Sequence, residues 1–446
     1  MRSKWPEILI DDLKANTKNA IAMGPFGSRI KAENFVVSGI PVIKGGNLTG
    51  DFLNEESYDF LTEDKANELS ASNAFRRDIV ITHRGTIGQV GIIPDNSNYD
   101  RYVVSQSQLK VTLDQNKVNP YFVYYFLRSP MGQQRLLQNT SQVGVPAIAQ
   151  ASTSVKAICV PCPERTMQDS IANFLLLVDN KISLNRKTNE TLEQIAQALF
   201  KSWFVDFDPV KAKAEGHQLV GMDEKTAALF PDSFEESELG MIPKGWTWQA
   251  LYDTAEYMNG EAFKDSDFSK GNTGLPIIKI VELKQGISNT TKYTKKNVND
   301  KYLTDDGDVL YSWSGSPETS LEIFKWFGGK GWLNQHIFKL SFTSKKQEYF
   351  TYFLLKQMKP ILVETAKLKQ TTGLGHITVQ DMKRIMIPYP TDEILNAFSY
   401  YVGYFYEYES ILRREIITLT NIRDTLLPKL FSGEINLSEA EEEVGE

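Results

Sequence analysis

Asn119-Pro120-Tyr121-Phe122 comes nearest to a catalytic signature in this sequence. It echoes the Asn-Pro-Pro-Tyr motif of amino-methyltransferases. It lacks the second proline, however, and no glycine-rich cofactor loop accompanies it, so it reads as the start of a helix. Cys159-Val160-Pro161-Cys162 has the spacing of a redox pair. Without a second ligand pair that spacing makes no zinc site, and its context is not a thioredoxin unit. Glu282-Leu283-Lys284 has the form of a nuclease Glu-x-Lys and reads as surface. No GxxxxGK[ST] loop occurs, which argues against ATP hydrolysis. The four histidines are scattered with no metal-ligand spacing. The chain is therefore expected to do no chemistry itself.

The elements that would position any site come in two copies. GIPVIKGGNL at 39–48 resembles GLPIIKIVEL at 274–283, and FRRDIVITHRGTIG at 75–88 resembles DDGDVLYSWSGS at 305–316. SQSQLKVTL at 105–113 resembles NQHIFKLSF at 334–342. NPYFVYYFLRSP at 119–130 resembles QEYFTYFLLKQMKP at 347–360. From VPCP at 160–163 and IPYP at 387–390 onward the offset holds at 227 without a gap. The second copy carries no CxxC and no Asn-Pro, and the first copy has Asn47-Leu48-Thr49 in place of the Glu-x-Lys. Repetition on this scale has to be recognised before any fold is assigned.

Within each half, short runs rich in Val, Ile and Tyr read as strands. In the first half these are 40–48, 78–82, 90–93, 103–113 and 155–160, with NPYFVYYFLRS as a helix packed on them. The same order recurs at 275–390. Apolar residues then recur at alternating steps of four and three, as Ile171, Leu175, Val178, Ile182, Leu192, Ala196, Leu199 and Trp203. A second series is Phe398, Val402, Phe405, Leu412, Ile416, Leu419, Leu426 and Leu430. A seam near 3.5 residues per turn, sustained so long, argues for a coiled coil. Asn185 and Asn189 continue the first seam as polar residues, Glu409 and Arg423 interrupt the second, and Asn185 and Glu409 could set register and orientation. Pairing about a pseudo-twofold axis would make the helices antiparallel, with the mixed domains at opposite ends. Residues 208–243 lack periodicity and read as a linker, and the tail 438–446 reads as disordered.

Net charge is −7, yet it alternates along the chain: +2 over 1–160, −5 over 161–246, +4 over 247–390 and −8 over 391–446. A phosphate-binding surface needs local positive charge and not a positive whole. The start MRSKWPEILIDDLK has no apolar segment of a secretory signal. No apolar run approaches the ~18 residues needed to cross a bilayer. Two cysteines make no disulfide framework. These features together lead to the expectation of a cytoplasmic protein without membrane contact.

Several pieces, in order within the two repeats, resemble the specificity subunit of type I restriction–modification systems. They are VPCPERTMQDSIANFL at 160–175, QIAQALFKSWFVDFDP at 194–209, ESELGMIPKGW at 236–246 and RDTLLPKLFSGEI at 423–435. RGTIG at 84–88, NGEAFK at 259–264 and GDVL at 307–310 also fit. The resemblance covers nearly the whole chain. It implies an α+β protein with two mixed α/β target-recognition domains in pseudo-twofold tandem, joined by two long helices forming an antiparallel coiled coil. The boundaries are then 1–160 and 244–390 for the recognition domains and 161–207 and 391–437 for the helical regions. The resemblance further implies that each domain reads one half of a split site in double-stranded DNA. It implies two adenine methyltransferase subunits and motor–nuclease subunits as partners. S-adenosylmethionine, ATP and Mg²⁺ would belong to those partners, and this chain would hold no cofactor.

Reading bases requires Arg, Lys, Asn, Gln, Ser or Thr on loops that reach a groove. In the first domain the candidates are Ser28, Arg29, Lys31, Lys44, Asn47, His83, Arg84, Gln106, Gln108 and Gln142. In the second they are Lys264, Lys279, Trp313, Ser314, Gln335, His336, Lys369, Gln370, Thr371, Thr372 and His376. Arg84 and the run Gln370–Thr372 stand out because glycines flank their loops. The competing reading is a repeat-built scaffold that organises partner proteins without reading DNA.

Overall fold

A computed structural model describes residues 4–50, 52–141, 144–217, 219–370 and 374–435, the side chain of Ser28 apart. Gln142, Thr371, Thr372 and the acidic tail lie outside the described residues, as does the side chain of Ser28. The chain divides into two compact units, Met1–Leu184 with Ile416–Glu446, and Asn185–Glu415.

The first unit is built on a four-stranded antiparallel sheet. Its order is Ile21–Met23, Gln108–Val111, Ile79–Thr82, Val90–Ile92. A five-stranded sheet lies beside it, in the order Phe35–Val36, Asp59–Leu61, Ile40–Ile43, Tyr102–Val104, Asn73–Ala74. Its Ile40–Ile43 and Tyr102–Val104 strands run parallel. Ile79–Thr82 and Gln108–Val111 are buried along their whole length. Ile79–Thr82 accordingly reads as a nearly continuous apolar run, whereas Gln108–Val111 alternates and buries Gln108 and Lys110 against the polar partners Thr82 and Asp78. Asn119 caps the helix Pro120–Arg128, accepting from the backbone N–H of Tyr121 at 2.9 Å, with Pro120 in the first turn. The Asn-Pro-Tyr-Phe stretch is thus a helix start, since proline's missing N–H is harmless there.

The second unit repeats this plan. Its four-stranded antiparallel sheet runs Glu256–Asn259, Ile337–Ser341, Val309–Ser312, Glu322–Lys325. Its other sheet runs Tyr293–Thr294, Leu275–Ile278, Gly331–Leu333, Leu303–Thr304, again with one parallel pair. A tight turn opens the central strand in both. The Asp78 carboxylate accepts from Phe75 N at 2.9 Å, and that of Asp308 from Asp305 N at 2.8 Å. Arg77 and Gly307, the residues just before, both take positive φ, 69° and 93°. Lys110 and Lys339 pair with the two aspartates from the neighbouring strand.

Three expected strands differ. The run 40–48 stops at Ile43 and turns through a 3₁₀ segment Gly45–Leu48, because Asn47 Oδ1 accepts from Lys44 N at 2.9 Å. The run 103–113 breaks at Ser105–Ser107 into two strands of different sheets. Residues 155 and 156 end a helix, Ala151–Lys156, and the strand is Cys159–Pro161. The segment 208–243 is not an open linker. It holds helices Asp208–Ala214 and Glu224–Leu229 and a hairpin of Phe234–Ser237 with Gly240–Pro243. Val210, Phe230 and Ile242 are buried in the core of the second unit.

The long helices run Arg165–Phe204 and Asp392–Ser432, 40 and 41 residues. In the first unit, Ile171, Leu175, Val178 and Ile182 share a core with Leu426, Leu427, Leu430 and Phe431. Arg423 donates to Asp179 there at 2.6 Å. In the second unit, Asn185 Nδ2 donates to Glu415 Oε2 at 2.8 Å, and the Phe200, Trp203 and Phe204 rings meet Phe398 at 4.9–5.9 Å. Rising numbers on one helix meet falling numbers on the other, so the segments pack antiparallel.

Val402 and Leu412 are buried as the seam requires, but Leu192, Leu199, Phe405, Ile416 and Leu419 are half-buried. Full burial falls instead on Phe200 and Tyr406. The recognition domain's own helix, Lys345–Lys367, also packs on this pair and shifts the buried face: Phe350 meets Phe200 at 5.4 Å, and Tyr352 meets Tyr406 at 5.1 Å. Glu409 likewise serves the domain. Lys325, buried at the end of its strand, reaches Glu409 and the Ser410 hydroxyl. Burial pushes the Lys325 ammonium down to about 8, against the pull of Glu409.

Candidate nucleic-acid interface

The polar ends of the central strands face a cleft of about 650 Å³ in the first unit, lined among others by Lys44, Arg84, Gln89, Gln106 and Gln108. Its floor is a chain of side-chain hydrogen bonds. Gln108 Nε2 donates to Thr82 Oγ1 at 3.2 Å, and Thr82 Oγ1 donates to Gln89 Oε1 at 3.0 Å. Ser105 Oγ donates to Gln108 Oε1. Such a satisfied network holds its members in one orientation. Gln89, Thr82 and Ser105 are not apparent in the sequence. Gln89 follows a glycine-flanked turn, the one signal that could have marked it.

Two loops form the rim. After Thr82 the chain turns through His83, Arg84 and Gly85. Gly85, at φ 88°, donates its N–H to Pro146 O at 2.9 Å, and this pins the loop. Arg84 is exposed. His83 is buried, with Nε2 3.2 Å from Gln106 O. Burial, and then the neighbouring Arg84 cation, hold its pKa below the usual histidine value. It is thus a neutral support for the loop and not a cationic contact. The second rim loop, Ser105–Ser107, exposes Gln106. Gly24 lets the edge strand pass beneath it, for an added Cβ would lie 1.9 Å from Ser105 O. Gly24→Ala is expected to destabilise the unit by about 1–3 kcal/mol through overpacking. A urea unfolding curve matching that of the parent chain would contradict this.

Lys44 is exposed, lies 5.0 Å from the centre of the Phe35 ring and pairs with Asp59. Arg29 and Lys31 are exposed on the loop whose Gly27 and Ile30 border the cleft, and Lys31 is 3.6 Å from Glu33. Asn47 is corrected to a structural role. It is buried, and its amide donates to Asn54 O and Ser57 O, both at 3.0 Å. Gln108 is likewise a floor residue and not a loop contact.

In the second unit Trp313, Gln335 and His336 come together. Trp313 Nε1 donates to Asn259 Oδ1 at 2.9 Å, and its ring centre is 5.7 Å from that of His336. Burial lowers the His336 pKa, leaving a neutral imidazole. Ser314 and His376 pair on a short two-stranded ladder. Lys279 lies 4.8 Å from the Phe268 ring centre, and Lys264 and Gln370 are exposed. Lys369 is tied to the buried carboxylate of Asp381, which caps the next helix, so it is held away from a free contact role.

The other sequence candidates resolve as structure. Glu282 is buried and not on the surface, accepting from Lys279 N and the Thr291 hydroxyl at 3.0 Å each. Burial pushes the Cys162 thiol up to about 11, the protonated and unreactive state. Among the described residues no group of three or more His, Cys, Asp and Glu could hold a metal ion, and no helix is long and apolar enough to cross a membrane.

A family model described as "type I restriction modification DNA specificity domain" matches residues 26–194 and again 243–401. The chain belongs to that family. It is a DNA-specificity subunit with two specificity domains, each match beginning in a recognition domain and ending in a long helix. The specificity subunit of the type I restriction enzyme HindI of Haemophilus influenzae is 27% identical over 437 residues, covering 87% of this chain and 93% of its own. That of MjaIX from Methanocaldococcus jannaschii is 24% identical, covering 85% and 82%. Among solved structures, a type I restriction–modification S subunit from M. genitalium superposes with a TM-score of 0.55 at 19% identity and covers 96% of both chains. That likeness bears on the fold alone.

Proposed function

We propose that this subunit reads a split duplex DNA site, one half with each recognition domain, and directs partner subunits that carry out adenine methylation and restriction. S-adenosylmethionine, ATP and Mg²⁺ are then needed by the partners, and this chain performs no reaction step. The observation that carries the reading is the same frame built twice around different exposed side chains. Arg84 faces outward in one copy where the half-buried Ser314 stands in the other, and His336 faces outward in the second copy where the half-buried Ser107 stands in the first. Unlike readers on like frames fit a site with two unlike halves, and phosphate contacts from the rim cations would set its register. The test is selection from a random duplex pool by the assembled complex at ~0.15 M salt, where specific binding must exceed the non-specific background. Enrichment of one split motif supports the reading. Recovery of unselected sequence supports the scaffold reading instead.

Two copies of one methyltransferase subunit fit the long helices. Leu177 and Tyr404 occupy equivalent repeat positions and are 69% and 68% exposed. Leu184 and Ile411, also equivalent, are 60% and 56% exposed. Large apolar side chains left in water at matched places mark matched contacts. Leu177→Asp is expected to reduce the complex from two methyltransferase subunits to one, and Leu177→Asp with Tyr404→Asp to none, as read by native mass. Retention of both copies by the double variant would contradict the assignment.

A further inference from the structure

The two halves align residue for residue at the proposed DNA surface. Thr82 faces Gln108 across the central strand pair, as Ser312 faces Ile337. His83 N donates to Ser107 O at 2.9 Å, as Trp313 N does to His336 O at 3.3 Å. Ile148 N donates to His83 O, as Ile377 N does to Trp313 O, both at 2.9 Å. Ser105 N bonds Ile43 O and Asn334 N bonds Ile278 O, both at 3.0 Å, and Lys44 and Lys279 follow directly. Arg84 therefore corresponds to Ser314, Ser107 to His336, Gln106 to Gln335 and Lys44 to Lys279.

These positions fall into two classes. Lys44 and Lys279 are the same residue, each set above a phenylalanine that is also shared, Phe35 and Phe268. Each lysine also begins a turn closed by a side chain three residues on. A compact ammonium at the same place in both frames suits a phosphate, which is the same whatever the sequence and which at Lys44 would displace a half-exposed partner, Asp59, unlike the buried Asp381 that holds Lys369. At 84/314 and 107/336 the halves differ, and the residues are exposed or half-exposed on loops that the frame holds in place. Groups that differ between two otherwise equivalent surfaces are where unlike sequences can be told apart.

We propose that sequence is discriminated at these two positions, by Arg84 in the first domain and His336 in the second, whereas Lys44 and Lys279 hold the backbone without discriminating. The proposal rests on the DNA-reading function stated above and divides its labour. Arg84 presents a guanidinium fork that matches the O6 and N7 acceptors of guanine in the major groove. Ser314 has no such fork, so the second half has no equivalent guanine reader at that place. His336, braced by the Trp313 ring, accepts from Gln335 Nε2 at its own Nε2, 3.3 Å away, which leaves the other ring nitrogen of the neutral imidazole as a donor.

The experiment is selection from a random duplex pool by the assembled complex, with the parent chain and with Arg84→Ser, His336→Ala, Lys44→Ala and Lys279→Ala. Native mass confirms that each variant assembles. Arg84→Ser is expected to lose about ten- to a hundredfold preference for guanine at one position of one half-site. His336→Ala should relax one position of the other half. Lys44→Ala and Lys279→Ala should weaken binding to all duplexes alike and lower the salt slope by about one phosphate each, with the selected motif unchanged. The proposal is overturned if Arg84→Ser leaves the motif intact, or if a lysine variant changes it. If the parent complex selects no motif at all, the DNA-reading function fails instead.

Discussion

Arg423→Met is expected to destabilise the first unit by about 3–5 kcal/mol, the cost of leaving a buried carboxylate without its cation. Asp179 is fully buried on the first long helix and takes 2.6 and 2.8 Å hydrogen bonds from Arg423 and the Tyr125 hydroxyl. Tyr125 belongs to Pro120–Arg128, so this one carboxylate joins both long helices to the recognition domain. Methionine keeps most of the volume and removes the charge. Asp179→Leu together with Arg423→Met should recover much of the loss, because two apolar residues incur no desolvation cost for an ion. Urea unfolding of the full chain reads both, as a shift in its first transition. A double variant no more stable than the single one would contradict this account of the pair.

Phe398→Ala should cost the second unit a similar 3–5 kcal/mol. Its ring is fully buried among Phe200, Trp203, Phe204 and Phe353, with centres 4.9–6.2 Å away. Removing it opens a cavity where both long helices and the domain helix meet, and walls of other aromatic rings cannot collapse inward. For a unit of this size the melting temperature should fall by on the order of 10 °C. Phe405→Ala, two seam positions on but half-buried, should cost clearly less. Equal shifts for the two variants would mean that burial does not rank the seam.

That contrast shows what the sequence reveals and what it hides. The helices and their antiparallel packing are legible because period and repeat persist over forty residues. Which side of each helix is deepest is not, since the domain helix with Phe350 and Phe353 covers a second stripe. Residues 208–243 look like a linker because their buried anchors, Val210, Phe230 and Ile242, share no period and are held by tertiary contacts. At the proposed DNA surface, Lys44 and Asn47 look alike as polar residues after a strand. Folding turns one outward and spends the other on closing the turn. Gln108 is indistinct for a related reason: a strand of four residues is too short for alternation to tell inward from outward. The exposure of Arg84 is legible because glycines mark its loop.

The central claim is that this chain selects the DNA site on which its partners act. A genome-wide map of N6-methyladenine, in cells that carry the chain and in cells that lack it, tests it most directly. The account predicts that one motif loses methylation when the chain is absent, and that this motif has two unlike halves separated by a fixed gap. A methylation pattern identical in the two maps would contradict it.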